Sequence, residues 1–175
     1  SFNPTRGSVF SFSQDLPLIS SDDEISNTFS YTKYKSLNDS KSMIGKVSFY
    51  LQTVNSLGNN DVRISKRAHV PYSRLRGFER GKVGPVDGND YIGGNYVSAI
   101  NLSTNLPGIL STLENIDFSY FIDIANVWGV DYDNSIDDSS QIRSSTGIGL
   151  DYLSPIGPLS FSLSSPITKK PSDKT

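Results

Sequence analysis

The 175-residue chain carries 16 Lys and Arg against 18 Asp and Glu, a formal net charge of −2, with 35% hydrophobic and 11% aromatic residues. That length suits one domain, the apolar content and periodicity exceed those of a disordered chain, and the near-neutral charge argues against a dedicated nucleic-acid binder. Cysteine is absent and histidine occurs once, at His69, which excludes thiol catalysis, disulfides and Cys/His zinc sites.

The chain opens on "SFNPTRG", a turn already inside a fold with no signal peptide before it, so a fragment is expected. Alternation of apolar and polar residues, the period of a strand, runs weakly through 7–16 and 27–35. It is clear in "MIGKVSFYLQT", where Met43, Gly45, Val47, Phe49 and Leu51 alternate with Ile44, Lys46, Ser48, Tyr50 and Gln52. A basic stretch follows: seven of the 16 Lys and Arg fall between Arg63 and Lys82, and "RLRGFERGKVGP" alone holds three arginines and three glycines. Further strands are predicted over 95–106, in "IDFSYFIDIANVW" (116–128), over 142–152, and in "PLSFSLSSPI" (158–167). "NPTRG", "SSDDE", "LNDSK", "LPGIL" and "SPIGP" supply turn chemistry between them. No segment shows a helical stripe, and no apolar run approaches the roughly 18 residues of a transmembrane helix.

About seven strands of roughly 9 to 12 residues exceed the usual globular length. Their polar face holds Ser, Asn, Asp and Gly, and aromatic residues (Tyr34, Trp128, Tyr152) stand near strand ends. Short turns on one side and longer loops on the other complete the pattern of an all-β, antiparallel transmembrane β-barrel, here partial, with the apolar face on lipid and the polar face on a wet lumen. A soluble lipocalin-like barrel or a sandwich shares the period.

The motifs separate these readings. Leu75-Arg76-Gly77-Phe78, then Gly84-Pro85, then Gly93-Gly94-Asn95, are followed in order by "YFIDIANVW" and "SSTGIGLDYLSPIGPLSFSLSSPI". This ordered set resembles the C-terminal barrel of BamA-type outer-membrane protein assembly factors, within the bacterial surface antigen superfamily, and covers essentially all of residues 1–175. The resemblance implies a barrel in the outer membrane of a Gram-negative bacterium, with N-terminal periplasmic domains, first strands, final strand and seam outside this chain. It implies a long extracellular loop that re-enters the lumen, with Arg76, Gly77 and Phe78 at its tip and Asp123 as the partner of Arg76. Asp123 lies on the polar face of its strand, so the pair is expected within about 4 Å, with Gly77 turning the backbone and Phe78 wedged against the wall. The other basic residues are expected to face lumen acids such as Asp117 or Asp151. Leu75 stands where Val or Ile is commoner, and "RISKRAHVPYSR" is more basic than the family pattern.

The resemblance further implies folding and insertion of barrel proteins without ATP. It brings as partners the bilayer, lipopolysaccharide, unfolded outer-membrane proteins and accessory assembly lipoproteins, with no nucleic acid, cofactor, metal or catalytic residue. A secretion pore of the same superfamily shares the loop-tip motif and stays open. "DYDNSIDDSS" spaces Asp131, Asp133, Ser135 and Asp137 faintly like a calcium loop, but lacks its glycine and glutamate, so a solvated acidic loop is expected. His69 is expected at the surface or in the lumen.

Overall fold

The computed structural model describes residues 4–17, 23–107, 109, 115–139 and 141–175. In chain order the strands are β1 (Gly7–Asp15), β2 (Glu24–Ser36), β3 (Ile44–Ser56), β4 (Val86–Asp87), β5 (Asp90–Tyr91), β6 (Tyr96–Asn105), β7 (Ile116–Trp128), β8 (Arg143–Ser154) and β9 (Gly157–Thr168). Seven of them form one antiparallel sheet in the order β1-β2-β3-β6-β7-β8-β9, while β4 and β5 make a small hairpin inside the β3–β6 connection. The predicted partial barrel wall is borne out. The long strands have 9 to 13 residues, enough to cross a bilayer at a tilt. The "SSDDE" and "LPGIL" turns fall partly outside the described residues.

Register fixes the two faces. Phe10, Tyr31, Phe49, Ile100 and Ile124 stand opposite one another in succession across five strands, as do Tyr120, Ile148 and Leu163 across three. These rows lie open: Phe10 is 61% exposed and Leu163 80%. Edge-to-face contacts of Phe29 with Phe10 (4.9 Å) and Phe49 (6.0 Å) extend the first. A soluble barrel would bury this face inside; here it is outermost, as lipid contact requires. Trp128 pairs with Tyr96 at 5.7 Å on that side. Tyr34, also near a strand end, faces the other way. It is opposite Lys46, whose ammonium lies over its ring, and both line the lumen.

The connections differ between the two ends. Residues 37–43 and 155–156 make tight links at one end, whereas the long stretch 57–95 joins β3 to β6 at the other, as with short periplasmic turns and long extracellular loops. The inner wall is graded between those ends. Lys46, Ser48, Asn101, Ser103, Asp117 and Ser119 line its lower half; Val54, Val97, Ala99, Ala125 and Val127 line its upper half. Onto this upper strip the loop lays Val62, Ala68, Val70, Leu75, Phe78 and Val83, all buried. The hydrophobic core is therefore made between one loop and one face of one sheet.

Candidate functional site: a loop anchored inside the wall

The motif tip sits where the graded wall changes character. Asp123, fully buried on β7, receives a fork from Arg76: Nε to Oδ2 at 2.7 Å and Nη2 to Oδ1 at 2.8 Å. The Arg76 backbone N–H adds a bond to Oδ2 at 3.1 Å, and Asn101 Nδ2 one to Oδ1 at 2.9 Å. Four donors thus meet the roughly four lone-pair sites of one carboxylate. The guanidinium carbon lies 3.3 Å from the centre of the Phe121 ring, a cation–π contact that a planar guanidinium makes better than an ammonium. Phe121 finds room because its register partner is Gly147, where a Cβ would stand 2.8 Å from the ring.

Gly77 follows with φ +88°, and a Cβ there would meet Ser164 Oγ at 3.1 Å. The chain turns here at a conformation that favours glycine, with the wall residues Ser164 and Ser145 close on its open side. Phe78 drops into the apolar strip with 4% of its surface exposed. Leu75 is buried equally well, with 2% of its surface exposed.

The later motif residues serve a second centre. Arg67, buried, binds the Asp131 carboxylate, donates from Nη1 to Asn95 Oδ1 at 2.9 Å and from Nη2 to the Val62 carbonyl at 2.9 Å. Asn95 in turn donates to Asp131 at 2.8 Å, and its backbone N–H bonds Gly129. Gly93 and Gly94 make this possible. Ala68 and Gly94 form an isolated antiparallel bridge, and Gly93, at φ +70°, lies so near that a Cβ would come 2.5 Å from the Ala68 carbonyl oxygen. Gly93→Ala is expected to destabilise the barrel by more than about 1 kcal/mol, read as a lowered unfolding midpoint; an unchanged midpoint would show that the bridge contributes little.

Gly84 and Pro85 belong to a third centre, which the sequence reading missed. Arg143, 1% exposed, forks Asp173 with Nε to Oδ2 at 2.9 Å and Nη2 to Oδ1 at 3.2 Å, and reaches Asn126 Oδ1 at 2.9 Å. Asp173 also accepts the Gly84 N–H at 3.2 Å and the Lys170 N–H at 2.7 Å. Backbone bonds Glu79 N–H to the Lys174 carbonyl and Lys174 N–H to the Lys82 carbonyl tie the same segments. Pro85 is fully buried beside them.

The remaining basic residues behave differently from expectation. Arg63 forks Glu24 and Arg67 holds Asp131, both rim or loop acids, while Arg74 donates to Ser48 and Asn101 and lies over Tyr50. Asp117 and Asp151 line the cavity of about 330 Å³ beneath the tip, which Lys46, Arg74 and Arg76 share. They are neighbours of the basic loop and not the fork partners of Arg63 or Arg67, because the loop stays in the upper half of the wall. Asn101 is the other functional residue that the motifs do not single out; it joins Arg74 to Asp123.

The acidic loop is structural as well as solvated. Asp138 accepts the Gly129 and Val130 N–H groups, and Asp133 and Asp137 accept those of Ser135 and Ser139. Burial acts to raise the Asp131 pKa, but the bonds from Val62, Asn95 and Arg67 outweigh it and hold the carboxyl below its usual range. Ser139 and Lys170 bring Asp137 down to about 2. Among the described residues no three His, Cys, Asp or Glu side chains are grouped to hold a metal. His69 is exposed.

Tyr132 hydrogen-bonds Asp87 at 2.6 Å, joining the β4–β5 hairpin to the β7–β8 loop, and that bond first, then burial, pushes its phenol up to about 12. Because the folded value is raised, this contact contributes fully below pH 10 and is lost as the pH rises through about 12. An ultraviolet titration of wild type against Tyr132→Phe should reveal one phenol ionising near that upper value; a difference curve centred near the ordinary value of 10.0 would mean that the bond is absent in solution.

A β-sheet wall with an outward apolar row and an inward loop anchored to buried charge defines an outer-membrane barrel with a re-entrant loop. The Omp85 superfamily domain matches residues 1–175, and the chain belongs to that superfamily. It is similar to the outer membrane protein assembly factor BamA of Neorickettsia risticii, 29% identical over 105 residues, covering 58% of this chain and 14% of the relative. A second relative, BamA of Neisseria meningitidis, is 28% identical over 128 residues, covering 57% of this chain and 16% of its own length. The crystal structure of BamA from Haemophilus ducreyi lacking POTRA domains 1–3 matches with a TM-score of 0.86 and 30% identity, over 99% of this chain and 37% of that one. The chain thus spans a minor part of each relative. The motif-based resemblance is borne out, and with it an outer-membrane location in a Gram-negative bacterium.

Proposed function

We propose that this chain forms the wall and internal anchor of a machine that folds and inserts β-barrel proteins into the outer membrane without ATP, and that it is not an enzyme. The names of its relatives support the assembly role. The observation that carries the reading for this segment is the Arg76–Asp123 fork. A carboxylate that accepts four donors in a fully buried position has its acceptor capacity spent on holding a loop, which suits an anchor and leaves little for acid–base chemistry. The chemistry of assembly then lies in strand pairing, since no backbone polar group can remain unpaired in lipid and an exposed edge templates an incoming strand. The partners under this reading are the bilayer with its lipopolysaccharide, unfolded outer-membrane proteins and accessory assembly lipoproteins.

The test is reconstitution of the full-length protein into phospholipid vesicles with a urea-unfolded barrel substrate and no nucleotide. The expected result is faster appearance of the folded, heat-modifiable substrate than in empty vesicles. Equal rates, together with passage of a secreted partner protein into the vesicle lumen, would favour the secretion pore.

A further inference from the structure

A separate charged patch lies on the opposite, lipid-facing side, at the end closed by short turns. On β2 the outward row reads Phe29, Tyr31, Lys33 and Lys35, and both lysines are exposed. That sequence of apolar, aromatic and cationic residues is the order met on passing from hydrocarbon into headgroups. Lys33 faces Ser8 on β1, and the same register carried one residue beyond the Gly7–Tyr34 pair sets Arg6 opposite Lys35. Lys41, from the adjoining turn, borders the same hollow, whose lining of ten residues contains no acid. Like charges facing one another across a strand pair destabilise it. Among the described residues, no ion pair relieves Arg6, Lys33, Lys35 or Lys41. Four cations held together at the bilayer boundary call for an anion from outside the chain.

A second observation indicates which anion. The β3 partners of Lys35 and Lys33 are Gly45 and Val47, and these two begin a shallow groove of about 230 Å³ that continues along Leu102, Tyr120 and Ile122. Gly45 has no side chain, and Leu37 packs into the space, its Cδ2 lying 3.1 Å from where a Cβ would stand, so the groove begins beside the lysines against an apolar edge. An apolar groove opening next to a cationic cluster fits a molecule with a phosphate at one end and a hydrocarbon tail at the other. We propose that Arg6, Lys33 and Lys35 bind the phosphate of an anionic glycerophospholipid of the periplasmic leaflet, with an acyl chain along the Gly45–Val47–Leu102 groove. The site is independent of whether the barrel assembles or secretes proteins.

The experiment is native mass spectrometry of the full-length protein in detergent, titrated with dioleoyl phosphatidylglycerol and, separately, dioleoyl phosphatidylcholine. Phosphatidylglycerol adducts are expected to form at lower lipid concentration and to weaken with added salt. The triple variant Arg6→Gln, Lys33→Gln, Lys35→Gln should lose roughly fivefold in phosphatidylglycerol affinity for each charge removed, on the order of a hundredfold together. Its phosphatidylcholine binding should be unchanged, which also reports that it is folded. Lys33→Arg with Lys35→Arg should retain binding. Equal binding of both lipids by wild type, or a triple variant that still prefers phosphatidylglycerol, would overturn the proposal. So would preferential binding of purified lipopolysaccharide lost in the same triple variant, since that would place the patch in the outer leaflet.

Discussion

Replacing Arg76 with alanine is expected to destabilise the folded barrel by about 3 kcal/mol, the lower part of the range for breaking a buried pair, and to free the loop from the wall. The lower part applies because the Arg76 side chain keeps 22% of its surface open to the wet lumen, whereas Asp123 keeps none. The cost comes mainly from Asp123, which would stay buried with Asn101 Nδ2 and the Arg76 backbone N–H as its remaining donors. Asp123→Ala should cost a similar amount, since Arg76 would then face Phe121 without a counter-charge. The double variant should cost clearly less than the sum of the two, and that shortfall is the coupling between the partners. Arg76→Lys should restore little, because an ammonium cannot make the fork or stack on the ring. Unfolding midpoints from heat-modifiable mobility provide the energies, and trypsin cleavage after Arg67 and Arg74 reports release of the loop. Additive single effects would contradict the anchor.

Arg143→Ala is expected to be at least as damaging, about 3 to 5 kcal/mol, because both partners are almost completely buried. Its consequences should spread further. Asp173 also accepts from Gly84 and Lys170, so loss of the arginine loosens residues 79–85 of the loop and residues 170–174 together. Asp173→Asn, which keeps the shape but removes the charge, should cost less than Asp173→Ala. Hydrogen exchange of the Gly84 and Lys174 amides would follow the loosening locally. A variant with normal stability and unchanged exchange at both amides would show that the third centre is passive filling.

The strands were legible because the sheet has one lipid face and one lumen face, and a period of two survives in the chain whenever the two sides differ. β7 was read with its observed bounds because Ile, Phe and Tyr alternate there with Asp, Ser and Ala. The loop path was not legible. Its backbone makes few ladder bonds, and its position is set by side-chain bonds between residues 26 to 89 positions apart, such as Arg74 to Ser48, Arg67 to Asp131 and Gly84 to Asp173. Those pairs leave no periodic trace. A signal for Arg143 did exist, since it shares parity with Ser145, Gly147, Gly149 and Asp151 on the lumen side of β8, and a cation on that side needs a partner. Asn101 could have been found in the same way from the parity of β6. Tyr34 stands near a strand end as expected, and its parity turns it to the lumen beside Lys46. The apolar upper wall was also missed: the whole inner face was taken as polar, whereas Val97, Ala99, Ala125 and Val127 break that rule where the loop lands.

The central claim is that the Arg76 tip rests against the inner wall between β7, β8 and β9. These 175 residues contain no cysteine, so a designed pair can report on it without interference from this segment. A Cβ at Gly77 would stand 3.6 Å from Ser145 Cβ, within the range a disulfide spans. The measurement is oxidative cross-linking of the Gly77→Cys, Ser145→Cys variant in outer membranes, followed by gel mobility with and without reductant. Efficient closure of the reductant-sensitive loop, absent from either single variant, is the predicted result. A folded, membrane-inserted double variant whose two thiols both remain free to alkylation would place the tip away from the wall and contradict the account.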